Sequence, residues 1–138
     1  KTTNQFLEKN NLKDNYDFLI VDFHGEITSE KMAIGHIFDG QATLVVGTHT
    51  HVPTSDGRIL KKGTAYLTDA GMCGDYNSVI GMNAENSVNK FNKKTSKKHF
   101  PSEGEASLCG VIVEANPDNG LANNVSQFIN GGELKNTI

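Results

Sequence analysis

Two short apolar runs in the first third of the chain predict strands that are buried on both faces of a sheet. Tyr16–Phe23 is almost continuously apolar, and Thr43–Val46 repeats that pattern after an intervening helical stretch. Parallel strands, which helices cover on both sides, have this composition. Because a crossover between neighbouring parallel strands is nearly always right-handed, we expect a βαβ unit in which the two strands run parallel.

The stretch between these strands has the spacing of an amphipathic helix. Its apolar residues recur at helical positions: Ala33, Ile34, Ile37 and Phe38. Thr28 or Ser29 is suited to cap the start of this helix, and Gly40 stands where a glycine commonly follows the end. A shorter helix is predicted over Thr3–Leu12.

The second half of the chain predicts mostly antiparallel strands. The expected elements are strands at Arg58–Leu60 and Ala65–Thr68, a helix at Ala84–Phe91, and a hairpin whose strands Leu108–Ala115 and Leu121–Ile129 flank the turn Asn116–Gly120. The predicted fold class is therefore α/β, a βαβ unit followed by mostly antiparallel strands. We expect residues 1–138 to form a single domain.

The composition excludes several classes of protein. The 138 residues are 36% hydrophobic and 21% charged, which is ordinary for a globular domain and argues against disorder. The longest apolar runs fall far short of the ~20 residues that a membrane helix needs, so no membrane partner is expected. A net charge of −3 does not favour duplex nucleic acid as a partner.

The two cysteines indicate a reducing compartment. Cys73 and Cys109 form neither a C-x-x-C pair nor a disulfide framework, so free thiols in the cytoplasm are expected. Cys109 should face the core from its strand, whereas Cys73 should lie in a loop.

Three histidines follow the ends of the two predicted parallel strands. His24 comes directly after the first strand, and His49 and His51 follow the second. Because the carboxyl ends of parallel strands meet at one edge of a sheet, we expect these imidazoles to lie close together. In an extended segment residues two apart point the same way, so His49 and His51 should reach one spot. Imidazole is a common ligand of zinc, iron and manganese, so the sequence predicts a metal site at this edge.

A purely structural role is the alternative for these histidines. A single histidine after a strand is more often a hydrogen-bonded polar residue than a ligand, whereas three at one sheet edge favour a metal site. His36, within the helix, and His99, in a polar loop, are expected to be packing and surface residues.

Four sequence blocks resemble the bacterial YmdB-like metallophosphoesterases. Val21–Lys31 is similar to their V-D-F-H-A-E-A-T-S-E-K segment, and Gly47–Pro53 resembles their G-T-H-T-H-V segment. Gly63–Met72 and Ser78–Gly81 resemble the next two blocks, in the same order. Four blocks in register are a far more specific signal than the histidines alone.

The resemblance implies part of a calcineurin-like α/β/β/α sandwich that holds two divalent metal ions, which would be iron, manganese or zinc. Family members are phosphodiesterases that hydrolyse cyclic nucleotides, including 2′,3′-cyclic ones, by means of a metal-bound hydroxide. On the matching positions, His24 and His49 would bind one ion and His51 the other. The neighbouring candidates for orienting these ligands are Asp22, Glu26, Thr48 and Thr50.

The chain departs from the family pattern in its length. Family members are longer, and the early aspartate, the glutamate–asparagine pair and the G-N-H segment of their first half have no counterpart here. The resemblance therefore implies that this chain supplies the C-terminal part of a metallophosphoesterase domain and the histidine half of its two-metal site. No general acid can be assigned, and we expect little activity from the chain alone. A sheet edge left open should favour either self-association into a homo-oligomer or pairing with a strand of a partner.

Two other functions fit some of the same residues. Gly47–His51 is similar to the G-H-x-P-H loop of the capsule-synthesis metallophosphatases, although Thr50 in place of the proline argues against that family. A non-catalytic binding or assembly half-domain would also lack the first-half ligands.

If the chain is a phosphodiesterase, its partner is a cyclic nucleotide or another phosphodiester, whose base Tyr76 or Asn77 would contact. Four lysines are placed to steer such an anion: Lys93, Lys94, Lys97 and Lys98.

Overall fold

Two β-sheets and three helices make up the structure, a computed structural model that describes residues 2–92 and 98–137. The helices are α1 (Thr2–Leu7), α2 (Thr28–Phe38) and α3 (Ala84–Phe91). The strands are β1 (Ile20–His24), β2 (Leu44–Thr48), β3 (Arg58–Ile59), β4 (Ala65–Leu67), β5 (Gly74–Asp75), β6 (Ala106–Ala115) and β7 (Ala122–Asn130). None of the described helices is long and apolar enough to cross a membrane.

The first sheet contains the predicted βαβ unit. Its strand order is β1-β2-β4-β3, with β1, β2 and β4 parallel and β3 antiparallel to β4. The register of β1 against β2 runs from Ile20 opposite Leu44 to His24 opposite Thr48. The carboxyl ends of the two strands therefore lie side by side, and His24 is next to the residue that precedes His49.

The second sheet packs against the first through a shared apolar layer. Its strand order is β5-β6-β7, and β6 and β7 form the predicted antiparallel hairpin. Residues of both sheets share one cluster, which consists of Leu44, Ala65 and Ala122 with Val46, Val111, Val113 and Val125 packed around them. The α/β fold class, a parallel unit followed by antiparallel strands, is confirmed.

Alternate side chains of β2 enter opposite cores. Leu44 belongs to the cluster between the sheets, whereas Val45 packs in a second cluster with Phe38 of α2 and Tyr66 of β4. This is the two-residue period of a strand covered on both faces. The prediction of burial on both faces is therefore confirmed for β2.

The same prediction is wrong for β1. This strand begins at Ile20 rather than Tyr16, and exposed and half-buried residues alternate along it. Ile20 is 65% exposed, and Phe18 just before it is 50% exposed. The reason is the strand's place in the sheet, because among the described residues β1 pairs with β2 alone and so forms an edge.

The buried face of α2 also differs from the predicted one. The buried residues are Lys31, Gly35 and Phe38. Two residues of the predicted apolar face are exposed: Ala33 and Ile37. Gly35 explains the rotation, because a β-carbon at this position would lie 2.5 Å from the ring of Tyr66. The helix thus approaches the sheet through its glycine rather than through its larger apolar side chains.

The ends of the helices are only partly as predicted. Neither Thr28 nor Ser29 caps α2, because the capping position is occupied by Ile27, which makes no side-chain hydrogen bond there. Gly40 follows the end of α2 with a φ of +83°, as expected for a glycine at this position. Helix α1 ends sooner than predicted, at Leu7.

We expect Gly47→Ala to destabilise the fold. A methyl group here would collide with the carbonyl oxygen of Thr68 and with Cδ of Lys31, and such overpacking typically costs about 1–3 kcal/mol. The matched control is Gly110→Ala, also inside a strand, where a β-carbon would meet nothing within 4 Å. Urea unfolding of both variants measures the difference, and equal free energies of unfolding would contradict the prediction.

Candidate functional site

Two of the predicted histidines are in contact at the carboxyl ends of β1 and β2. His24 is the last residue of β1, and His49 follows β2 directly. Nδ1 of His49 lies 3.2 Å from Nε2 of His24. The rings meet edge to face, with centroids 5.1 Å apart and an angle of 79° between their planes. Both side chains are exposed, so this pair is open to a ligand from solvent.

A hydrogen-bond chain behind His24 fixes the orientation of its ring. Nδ1 of His24 lies 3.1 Å from the hydroxyl of Thr48, and that hydroxyl donates to the carboxylate of Asp22 over 3.3 Å. Because the single hydroxyl proton is directed at Asp22, Thr48 accepts from His24, which places the ring proton on Nδ1. The lone pair on Nε2 of His24 then faces His49. Asp22 and Thr48 were both expected to orient the ligands. The hydrogen bonds from His24 to Thr48 and from Thr48 to Asp22 are the contacts through which they could do so.

His51 is held by a different loop. Its Nδ1 lies 2.9 Å from the carbonyl oxygen of Ile80. Since a carbonyl only accepts, His51 carries its proton on Nδ1, and Nε2 is left with a lone pair. The backbone here is not the extended segment assumed from the sequence, because φ is +140° at His49 and +64° at His51. Positive φ at residues other than glycine is strained, and such strain is concentrated at functional sites.

A buried ion pair supports the turn that carries the histidines. Nζ of Lys31 donates to Oδ2 of Asp69 over 2.8 Å, and both side chains are almost completely buried. The same Oδ2 accepts from the backbone N–H of Thr50, and Oδ1 accepts from that of Gly71. Burial raises the pKa of Asp69, but the hydrogen bonds from Lys31, Thr50 and Gly71 together hold that pKa below its usual value.

The sequence reasoning assigned no role to this pair. Lys31 and Asp69 both fall inside the family-like blocks, but a lysine in an otherwise amphipathic helix is typical of the solvent-facing side. The signal that could have identified it is its helical spacing, because Lys31 lies on the same face of α2 as Gly35 and Phe38. A charged side chain on the buried face of a helix needs a buried partner.

The remaining orienting candidates have other contacts. Thr50 meets Asp69 through its backbone N–H, and its hydroxyl donates to the carbonyl of Val52. Glu26 is exposed. Of the lysines expected to steer an anion, Lys98 is exposed, and three lie outside the described residues: Lys93, Lys94 and Lys97.

Both cysteines are free, as predicted. Cys109 is buried and Cys73 is exposed. The hydroxyl of Tyr76 donates to the carbonyl of Met72 and lies 3.4 Å from Sγ of Cys109. Burial, with the neighbouring Cys109 thiol, raises the pKa of Tyr76. The hydroxyl of Tyr76 is thus engaged inside the fold rather than turned outward to a base.

The donor set fits part of a metal centre. Two imidazole ligands of one tetrahedral zinc ion, each bound at about 2.0–2.1 Å, lie roughly 3.3–3.4 Å apart. The ring nitrogens of His24 and His49 are 3.2 Å apart, slightly closer than that separation. Over residues 2–92 and 98–137, no three His, Cys, Asp or Glu side chains are grouped so that they could hold a metal ion. Metal binding by His24, His49 and His51 therefore stays a prediction.

We expect Lys31→Met to destabilise the chain strongly. It leaves the carboxylate of Asp69 buried without its cation, which typically costs about 3–5 kcal/mol. The matched control is Lys61→Met, at an exposed position, where a change within about 0.5 kcal/mol is expected. Urea unfolding at pH 7 compares the two.

The difference in free energy of unfolding between wild type and Lys31→Met should depend on pH, and the direction of that dependence can be predicted. Because the pKa of Asp69 is lowered in the folded state, its carboxylate stabilises the fold at neutral pH and loses that contribution as the pH falls through the folded pKa. The gap between wild type and Lys31→Met should narrow below about pH 4. A gap that stays constant or widens in acid would show that the pair does not act through the charge of Asp69.

Comparison with known proteins places this geometry in a family. The family described as YmdB-like protein matches residues 1–128. The 2′,3′-cyclic-nucleotide 2′-phosphodiesterase of Bacillus subtilis (strain 168) is 47% identical over 97 residues, which are 70% of this chain and 37% of that protein. A putative phosphatase/phosphodiesterase of Mycoplasma pneumoniae is 52% identical over 118 residues, covering 83% of this chain and 42% of that protein.

Solved structures share the fold. A hypothetical protein from Thermus thermophilus superposes with a TM-score of 0.82 at 35% identity, over 94% of this chain and 49% of that one. A phosphatase from Mycoplasma pneumoniae gives a TM-score of 0.82 at 39% identity, over 94% of this chain and 45% of that one. The chain thus spans less than half the length of each of these relatives.

Proposed function

Since the chain belongs to the YmdB-like protein family, we propose that it contributes the histidine part of a divalent-metal-dependent phosphodiesterase that acts on 2′,3′-cyclic nucleotides. The observation that carries this proposal is the contact between Nε2 of His24 and Nδ1 of His49. The substrate class comes from the name of the Bacillus subtilis relative.

His24 and His49 would hold one cation between them. The lone pair on Nε2 of His24 already faces the partner ring, because Thr48 and Asp22 keep the proton on the other nitrogen. A carboxylate that orients a histidine in this way fixes which ring nitrogen carries the proton. His49 places Nδ1 within hydrogen-bond distance of that lone pair, so its proton would have to move from Nδ1 to Nε2 before Nδ1 could bind the same cation.

His51 would serve a second cation. Its Nδ1 donates to the Ile80 carbonyl, which leaves Nε2 as the donor atom. Two divalent cations in such a site neutralise charge on the phosphate and activate water for attack on phosphorus. Iron, manganese and zinc all suit imidazole ligands. In this proposal the carboxylate and further ligands that complete the centre come from outside the described residues.

The exposure of the pair matters for the substrate. His24 and His49 are open to solvent, so a phosphodiester can approach this edge of the sheet without a change in the fold. The strained turn at His49 and His51 is held in place by the buried Lys31–Asp69 pair, because Asp69 accepts a hydrogen bond from the backbone N–H of Thr50 within this turn. The residues of this chain would therefore bind and orient, while the acid that protonates the leaving oxygen lies elsewhere.

We expect metal binding to depend on His24 and His49 individually. Titration calorimetry with Mn²⁺ or Zn²⁺ should show that His24→Ala and His49→Ala each weaken binding at least about tenfold, since even the loss of an outer hydrogen-bond partner costs 10–100-fold. The matched control is His36→Ala, an exposed histidine on α2, which should bind as wild type does. Equal affinities in all three variants would remove the basis of the proposal.

The chain alone should turn over phosphodiesters slowly. We expect a rate far below the ~1 s⁻¹ at the lower end of typical enzymes for bis-p-nitrophenyl phosphate and 2′,3′-cyclic AMP with added Mn²⁺. The full-length Mycoplasma pneumoniae relative serves as the positive control. If this chain reaches about 1 s⁻¹ and His49→Ala does not, then the chain contains a complete site. If the relative is inactive as well, a non-catalytic binding role becomes the better interpretation.

A further inference from the structure

A small apolar cavity lies beside the loop that holds His51. Its volume is about 250 Å³, and Val79, Ile80, Met82 and Phe91 line it together with Lys90 and His99. Small-molecule sites are typically apolar with a few polar groups, and those for drug-sized ligands are about 300–1,000 Å³. This cavity is smaller, and its size suits a single ring system.

A two-residue turn joins the cavity to the histidines. Val79 and Met82 exchange two backbone hydrogen bonds of 2.9 Å, and Ile80 and Gly81 between them have φ of +50° and +90°. Two consecutive positive φ values are typical of the tight turns that close hairpins. The carbonyl of Ile80 accepts from His51, while Ile80 also lines the cavity. Ile80 therefore lies between the cavity and the turn that carries His49 and His51, which we call the histidine turn.

We propose that this cavity binds the nucleobase of a nucleotide whose phosphate lies at the histidines, an inference that rests on the proposed function. Nucleotides carry their base and their phosphate at different positions of one sugar, and in a 2′,3′-cyclic nucleotide the base is on C1′ while the phosphate is on the neighbouring O2′ and O3′. A base pocket must accordingly adjoin the phosphate site without overlapping it, and the turn at Ile80 and Gly81 provides that separation.

The exposed side chains of the cavity suit a flat aromatic ligand. Phe91 is 83% exposed and Ile80 is 56% exposed, so the cavity presents an aromatic ring and an aliphatic side chain that few protein atoms cover. Bases stack on aromatic side chains with little preference for their identity, because every base has a π-face. We therefore expect the cavity to accept more than one base.

A polar pair in the lining can contact the edge of the base. Nζ of Lys90 lies 2.6 Å from Nε2 of His99. An ammonium group has three donors, so Lys90 retains donors for a ring nitrogen or carbonyl oxygen of the base after it donates to His99. The positive charge of Lys90 also complements an anionic nucleotide, although the chain as a whole is acidic.

The test uses two probes that separate base from phosphate. Adenosine has a base and no phosphate, and ribose 5-phosphate has a phosphate and no base. In ¹H–¹⁵N NMR titrations of this chain, adenosine should shift the backbone amides of Val79, Ile80 and Met82, and ribose 5-phosphate should not.

Three variants make the result specific. Phe91→Ala should weaken adenosine binding about 5- to 150-fold, the range given by the loss of one base–aromatic stack. Phe91 is so exposed that its removal should leave the fold intact. Phe18→Ala, a half-exposed phenylalanine beside β1, is the matched control and should bind adenosine normally. His49→Ala should also bind adenosine normally, because the nucleoside has no phosphate for the histidines.

The outcomes distinguish this inference from the proposed function. The nucleobase site is overturned if adenosine leaves the cavity amides unchanged, or if Phe91→Ala and Phe18→Ala weaken binding equally. If adenosine binds here while Mn²⁺ and Zn²⁺ do not bind the histidines, the nucleobase site is supported and the phosphodiesterase proposal fails. If metal binds at His24 and His49 but adenosine does not bind, only the nucleobase site is wrong.

Discussion

The buried ion pair between Lys31 and Asp69 is the constraint on which the candidate site depends. It joins α2 to the turn after β2, since Asp69 also accepts from the backbone of Thr50 and Gly71. A buried charge without its partner is expensive, so neither element can move without the other. Gly47 belongs to the same arrangement, because the stem of Lys31 and the carbonyl of Thr68 occupy the space of its missing side chain.

Other contacts fix the histidine turn from its outer side. The amide of Ala70 donates to the carbonyl of Gly47 over 2.9 Å, and His51 is tied to Ile80. The turn is thus held by the segment that follows β4 and by the loop that borders the apolar cavity. Strained backbone at His49 and His51 persists because these surrounding contacts over-determine it. A site held in this way is preorganised, and binding a ligand there requires little further ordering.

Sequence pattern identified the elements that depend on local chemistry. The apolar run of β2, the hairpin of β6 and β7, and the glycine after α2 each carry a signal in a few neighbouring residues, and all three were predicted correctly. The proximity of His24 and His49 was also predictable, because it follows from parallel pairing of two adjacent strands.

The errors arose where burial depends on distant residues. The apolar run at β1 resembles that of a central strand, but only sheet order decides whether a strand is central. The orientation of α2 was set by the fit of Gly35 against Tyr66, a contact across the fold that helical periodicity does not contain. The backbone at His49 and His51 differs from the predicted extended form because positive φ at histidine has no local sequence signal.

The unequal edges of the first sheet govern how copies of this chain could assemble. One edge is β1, with five residues, and the other is β3, with only two. A strand of two residues offers too few backbone groups to template another chain. Pairing through β1 would join the same surface on both copies, which makes the contact isologous and closes the assembly at two. Within the described residues, the continuous first sheet of such a dimer would end on both sides at the two-residue strand β3, so growth through this sheet would stop at two copies.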